Sequence, residues 1–124
     1  MTRVLQVLVF IPGLLFIING LRFAVAPEPM LASLHMEMLN GLGRNSQIGD
    51  GGAFFLSMGL MILLGLVTTR KIWFQAVGMM LALTAMFRIL SWLFHGAVLA
   101  PDLTIIEIVF AALMLVASSK LAKD

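Results

Sequence analysis

The stretch VLQVLVFIPGLLFIINGLRFAVA, residues 4–26, decides the fold. Read as a leader it would be removed; read as a retained helix it is the first of four apolar runs. Its apolar part, Val4 to Phe23, exceeds the roughly 7–15 residues of a leader's apolar region. Arg22 interrupts the region where Ala24, Val25 and Ala26 imitate a cleavage site, and Pro27 would follow the cut bond. The stretch is therefore expected to stay as an uncleaved transmembrane helix.

The rest of the chain agrees with that reading. Of the 124 residues, 61% are hydrophobic and only 11% charged, and the mean hydropathy is +1.08. Soluble domains carry about 25% charged residues, so this composition belongs to a membrane protein. The length leaves room for one domain, residues 1–124, and almost nothing for a soluble part. Without cysteine the chain has no disulfide, thiolate nucleophile, iron–sulfur cluster or cysteine-ligated zinc.

A hydrocarbon core about 30 Å thick asks for roughly 20 apolar residues per helix. Four segments approach this: 4–26, 52–69, 72–94 and 103–119. Only a short link around Arg70 separates the second and third, so they form an antiparallel hairpin. The link HGAVLAPD before the fourth is also short, with Asp102 as the expected N-cap. The first link is longer and contains MLASLHMEMLNGLG, residues 30–43, where Met30, Leu31, Leu34, Met38 and Leu42 can share one face. A short interfacial helix ended by glycine is expected there. The fold class is thus an all-α integral membrane protein, a four-helix transmembrane bundle with a short interfacial helix in the first outer loop.

Orientation follows from the cations. Arg3, Arg70, Lys71, Lys120 and Lys123 fall at one end, against Arg22 and Arg44 near the first loop. The excess places both termini in the cytoplasm. Trp73 and Trp92 mark the two ends of the third span as interfacial anchors. Small residues recur at Gly49, Ala53 and Ser57, at Gly20 and Ala24, and at Gly78 and Ala82. These stripes are expected to pack helices within the bundle, with a dimer interface as the alternative.

Ionisable residues are concentrated by depth. At about 1.5 Å per residue, Arg22 lies roughly 27 Å up the first span and Arg88 roughly 24 Å up the third. Asp50 is expected to open the second span, and Glu107 lies about one turn into the fourth. Two cations and two carboxylates therefore share the outer layer. Charges at such depth pair, face water or snorkel. The expected pairs are Arg88 with Glu107 and Arg22 with Asp50; exchanged partners satisfy the same charges. Arg88, Ser91, Trp92 and His95 follow helical spacing on one stripe, and Asn19 lies one turn below Arg22. GRNSQIGDGGAFF, residues 43–55, then reads as a polar lid bringing Arg44, Asn45, Ser46, Gln47 and Asp50 over the top.

The candidate ligand or ion-pair layer is accordingly Arg22, Asp50, Arg88, His95, Glu107, Arg44 and Asn19. Such pairs in a membrane bundle more often fix register than perform chemistry. His95 reads as a solvated helix end, since His35 offers no ligand spacing with it, and no metal site is expected. The ten methionines are dispersed and read as packing. GDGG lacks the lysine and hydroxyl residue of a phosphate loop. No catalytic arrangement, cofactor motif or nucleic-acid surface is legible. RFAVAPE and AVLAPD, which follow the first and third spans, echo each other weakly.

NGLRFAVAPE, GLGRNSQIGDGGAFF and FRILSWLFHG together resemble the small four-helix bacterial membrane proteins of the DoxX-like superfamily, in particular a branch catalogued as a domain of unknown function. The resemblance spans most of the chain and implies a four-helix bundle in a bacterial inner membrane. Relatives named for a thiosulfate:quinone oxidoreductase imply membrane redox chemistry, but they act with a partner subunit, and this chain offers no cysteine or cofactor motif to inherit it. No catalytic residue is carried over. Small multidrug exporters are a further comparison, from which the chain departs: it has no acid in the first helix and no tyrosine, and its deep acid, Glu107, is in the fourth span.

Three functions follow in order. The first is a non-enzymatic accessory or oligomeric membrane subunit, with membrane lipids and a homo-oligomer or larger complex as partners. The second is binding or transport of an anionic or quinone-like small molecule at the outer polar layer. The third is a redox enzyme subunit acting on quinone.

Overall fold

The computed structural model describes residues 2–124. It consists of α1 (Thr2–Val25), α2 (Pro27–Ser33), α3 (Gly41–Thr68), α4 (Lys71–Phe94) and α5 (Pro101–Lys120). Among the described residues, α1, α3, α4 and α5 are long and apolar enough to cross a membrane. They form the four-helix bundle of a multi-pass membrane protein. Around the bundle the order is α1, α3, α4, α5, and the interfaces α1–α3 and α4–α5 are the most extensive.

Glycines explain the close fit of α1 on α3. A Cβ on Gly20 would stand 2.7 Å from the Leu56 backbone nitrogen, and one on Gly59 would stand 2.8 Å from the Gly13 carbonyl oxygen. Without solvent-driven burial between helices in lipid, backbone approach of this kind supplies the dispersion contacts that hold them. Gly13 and Gly20 are seven residues apart, as are Gly52 and Gly59, so the antiparallel helices meet near both ends of this contact. Gly78 on α4 is less constrained, since an added Cβ would make only an ordinary contact with the Met114 side chain at 3.4 Å.

The expected small-residue stripes are only partly used. Gly20 and Gly78 are buried, but Gly49, Ala53, Ser57, Ala24 and Ala82 are exposed. Spacing identifies a face, whereas its direction depends on where the larger apolar side chains go. Met58, Gly59, Ile62 and Gly65 define the buried face of α3, and the Gly49 stripe lies on another one. The main core joins Val9 and Phe16 to Met58, Ile62, Phe74, Val77, Leu81 and Met114. A smaller cluster of Phe23, Met30 and Leu31 seals the loop end.

The first link differs from the expected residue 30–43 helix. Its helix, α2, covers seven residues and then stops at a left-handed residue, His35 (φ 63°). There the His35 N–H donates to the Ala32 carbonyl and the Met36 N–H to the Leu31 carbonyl, both at 3.0 Å. This is the Schellman termination usually built on glycine. Leu34 and Met38 pack on the small cluster, but Leu42 is 88% exposed at the start of α3.

The polar lid is itself helical. α3 begins at Gly41 and runs 28 residues, about 42 Å at 1.5 Å per residue, so its first turns extend beyond a 30 Å apolar layer. Asp50 therefore sits in its third turn and does not open it. Arg44 reaches back, donating through Nε to the Leu39 carbonyl (3.0 Å) and through Nη2 to Asn40 Oδ1 (3.3 Å). The Gln47 amide accepts from the Leu39 N–H at 2.9 Å and donates to the Glu37 carbonyl at 3.0 Å. These bonds provide the connecting segment with backbone partners that its sequence alone does not reveal.

The two echoing motifs are both helix starts. Ala26 and Ala100 are N-caps, Pro27 and Pro101 begin the helices, and Glu28 and Asp102 occupy the first turns. Proline needs no N–H at that position and the acid favours the positive end of the helix. Asp102 is thus not the N-cap. At the opposite end, the Lys123 N–H donates to the Thr69 carbonyl and the Lys71 N–H to Asp124 Oδ1, each at 2.8 Å. The C-terminal carboxylate side chain caps α4 in place of a local residue.

Candidate functional site

The inward stripes of three helices carry polar residues at the loop end. On α4, Phe74, Val77, Gly78, Leu81 and Ala85 are buried, and the next inward position is Arg88. On α5, Thr104 and Ala111 are buried, with Glu107 between them at helical spacing. On α1, Phe16 and Gly20 are buried and flank Asn19. The same periodicity that builds the core thus turns a guanidinium, a carboxylate and an amide into it.

Arg88 Nε donates to Glu107 Oε1 at 2.7 Å, with the side chains 30% and 12% exposed. This is the expected pair, a charge-assisted bond in a water-poor setting. The terminal nitrogens of Arg88 make no hydrogen bond among the described residues, and neither does Glu107 Oε2.

Beneath the pair lies an aromatic floor. Phe55 stacks on Phe23 at 5.8 Å between ring centroids and lies 5.9 Å from Phe16, whose other neighbour is Phe110 at 5.8 Å in an edge contact. Phe54 meets Phe55 edge-on at 5.4 Å.

Three spaces meet at Arg88, and two of them also reach Glu107. An inner cavity of about 270 Å³ includes Asn19, Ser33, Met58, Arg88, Glu107 and Phe110 in its walls. A second, also about 270 Å³, lies under the first link and includes Leu31, Met36, Gln47, Asp50, Arg88 and Glu107. The third is an open groove of about 570 Å³ on the outer face of α3 and α4, with Met80, Leu83, Phe87 and Ser91. Phe54 and Arg88 are common to all three.

Other expected site residues are placed differently. Arg22 and Asp50 form no ion pair among the described residues; Arg22 Nη1 donates to Asn19 Oδ1 at 3.4 Å. The two charged residues sit at half-buried and exposed positions, so water or headgroups relieve them without a mutual contact. Arg44 holds the link through the bonds described above, and His95 is the exposed C-cap of α4. Neither lines the cavities at the pair.

Sequence reasoning missed the phenylalanine floor, Ser33, and an exposed contact between His35 Nε2 and Asp102 Oδ2 at 3.0 Å. The heptad spacing of Phe16 and Phe23 was a signal for the floor. The His35–Asp102 contact joins residues 67 apart in sequence and had no local signal.

The fold and site define a multi-pass membrane protein with a polar pair at the junction of apolar cavities. Comparison with protein-family models, curated proteins and solved structures finds no match.

Proposed function

We propose that the chain binds a small amphiphilic molecule at the Arg88–Glu107 pair. The observation that carries this reading is the meeting of three mostly apolar spaces at guanidinium donors that bond to no acceptor among the described residues. Binding sites typically combine an apolar enclosure of about 300–1,000 Å³ with a few polar groups that fix orientation. The inner cavity is slightly smaller than that range and the groove falls within it. A purely register-setting pair needs no such space around it.

Native mass spectrometry of the protein released from its own membrane tests the proposal. A small-molecule adduct is expected on the wild type and is lost from Arg88→Gln. Absence of an adduct across mild extraction conditions counts against it.

A second reading, an oligomeric or accessory subunit, is favoured by the outward position of Gly49, Ala53 and Ser57 on α3. The same spectrum reports it as a larger assembly, which Ser57→Leu is then expected to dissociate. We assign the chain to a bacterial inner membrane with cytoplasmic termini and to the DoxX-like superfamily on the residues given above. Support for the orientation is the clustering of Arg3, Arg70, Lys71, Lys120 and Lys123 at the termini end of the bundle.

A further inference from the structure

We infer that the ligand is an uncharged, single-chain amphiphile with a carbonyl or ester oxygen in its head, entering from the bilayer between α3 and α4. This rests on the binding reading above and narrows it. The choice between an anion and a neutral acceptor follows from the arrangement of charge and donors at the pair.

Arg88 supplies the one cation lining the three spaces, and Glu107 already holds its Nε at 2.7 Å. Asp50 adds a second carboxylate to the cavity beneath the first link. An anionic head would share one guanidinium with Glu107 and face the carboxylate across it, with little water to screen the repulsion. In the inner cavity, by contrast, free donors outnumber the one free carboxylate oxygen, Glu107 Oε2. The Nη1 and Nη2 groups of Arg88 are unpaired among the described residues. Asn19, which lines the inner cavity, accepts from Arg22 through Oδ1, and its NH₂ donates to no acceptor among the described residues. Ser33 Oγ donates to the Met30 carbonyl at 2.6 Å and therefore offers no free donor. A donor-rich wall without surplus positive charge selects a neutral oxygen acceptor.

The route is set by Phe54 and Arg88, which border both the inner cavity and the outer groove. The groove is lined by Met80, Leu83, Thr84 and Phe87, and the Thr84 hydroxyl is occupied by the Met80 carbonyl at 2.7 Å. It consequently presents an apolar surface suited to an alkyl chain. The α3–α4 interface beside it is much less extensive than α1–α3. A chain lying in the groove places its head at Arg88 without crossing the polar link.

Three probes with the same twelve-carbon tail test this: 1-monolauroylglycerol, laurate at pH 8, and dodecyltrimethylammonium. Their binding to the full chain in amphipol is measured by native mass spectrometry titration. The expected result is one 1-monolauroylglycerol per chain, bound at least about tenfold more tightly than laurate or the cation. Glu107→Gln should strengthen laurate binding by about tenfold, because it removes the competing carboxylate. Leu83→Trp fills the groove at an exposed position and leaves the pair intact; it should weaken 1-monolauroylglycerol by about tenfold. Laurate binding as tightly as 1-monolauroylglycerol overturns the neutral head. An unchanged affinity in Leu83→Trp overturns the lateral route. Failure of all three probes to bind would instead remove the binding reading itself.

Discussion

Arg88 on α4 and Glu107 on α5 are joined across the α4–α5 interface by a 2.7 Å hydrogen bond, at positions where their helices otherwise present core residues. Each charge makes the other tolerable. Arg88→Gln or Glu107→Gln leaves a single charge in a poorly hydrated layer, with an expected cost of about 2–3 kcal/mol. The double variant is expected to lose less than the two singles combined. A double-mutant cycle by thermal unfolding in detergent measures the coupling, and strictly additive losses would remove the pair from the stability argument.

The α1–α3 interface depends on absent side chains. Gly20→Ala drives a Cβ into the Leu56 backbone and is expected to destabilise by about 1–3 kcal/mol. Gly49→Ala meets nothing within 4 Å and should be neutral or stabilising by up to about 1 kcal/mol, as alanine is the better helix former. Unfolding midpoints of the two variants provide the check, and reversal of their order contradicts the packing described.

Because the native chain has no cysteine, single cysteines report topology without background. Val98 in the α4–α5 link is 93% exposed, and Lys123 is exposed at the other end. In intact cells a membrane-impermeant maleimide is expected to label Val98→Cys and not Lys123→Cys. The opposite pattern inverts the proposed orientation.

Asp124 couples the termini end to pH. The Lys71 N–H bonded to its carboxylate, foremost, holds its pKa below the ordinary 3.8. A depressed native pKa contributes stability above the unfolded value and loses it as pH falls through the native value. The α4 cap should therefore hold at neutral pH and loosen only below about pH 4. The protection of the Lys71 amide against exchange, measured by NMR relative to the intrinsic rate at each pH, should fall in that window and lose this dependence in Asp124→Asn.

His35 has two roles that oppose each other on substitution. Its left-handed backbone favours glycine by about 1 kcal/mol, while its exposed contact with Asp102 is weakened by solvent screening. His35→Gly is expected to leave stability nearly unchanged; His35→Val loses the contact and strains the turn. Thermal unfolding should separate the two variants by more than 1 kcal/mol, on the order of the left-handed penalty.

Much of the bundle was legible because lipid imposes a simple demand on sequence. Long apolar runs gave four helices, and the short second connection gave the antiparallel hairpin. The Arg88–Glu107 pair followed from similar depth on two helices joined by a short turn. The boundary of α3 was misread because glycines at 43, 49, 51 and 52 suggest a loop, whereas Arg44 and Gln47 satisfy the neighbouring backbone and let the helix begin earlier.

The sequence by itself determined the membrane-spanning helices and the depth of the charged residues, since hydropathy and the rise per residue are local properties. Tertiary structure decided which small residues became contacts, which of the charges met, and that phenylalanines from α1, α3 and α5 enclose space beneath Arg88 and Glu107. Those outcomes depend on helix rotation and on shape across separate segments, which no single stretch of chain encodes.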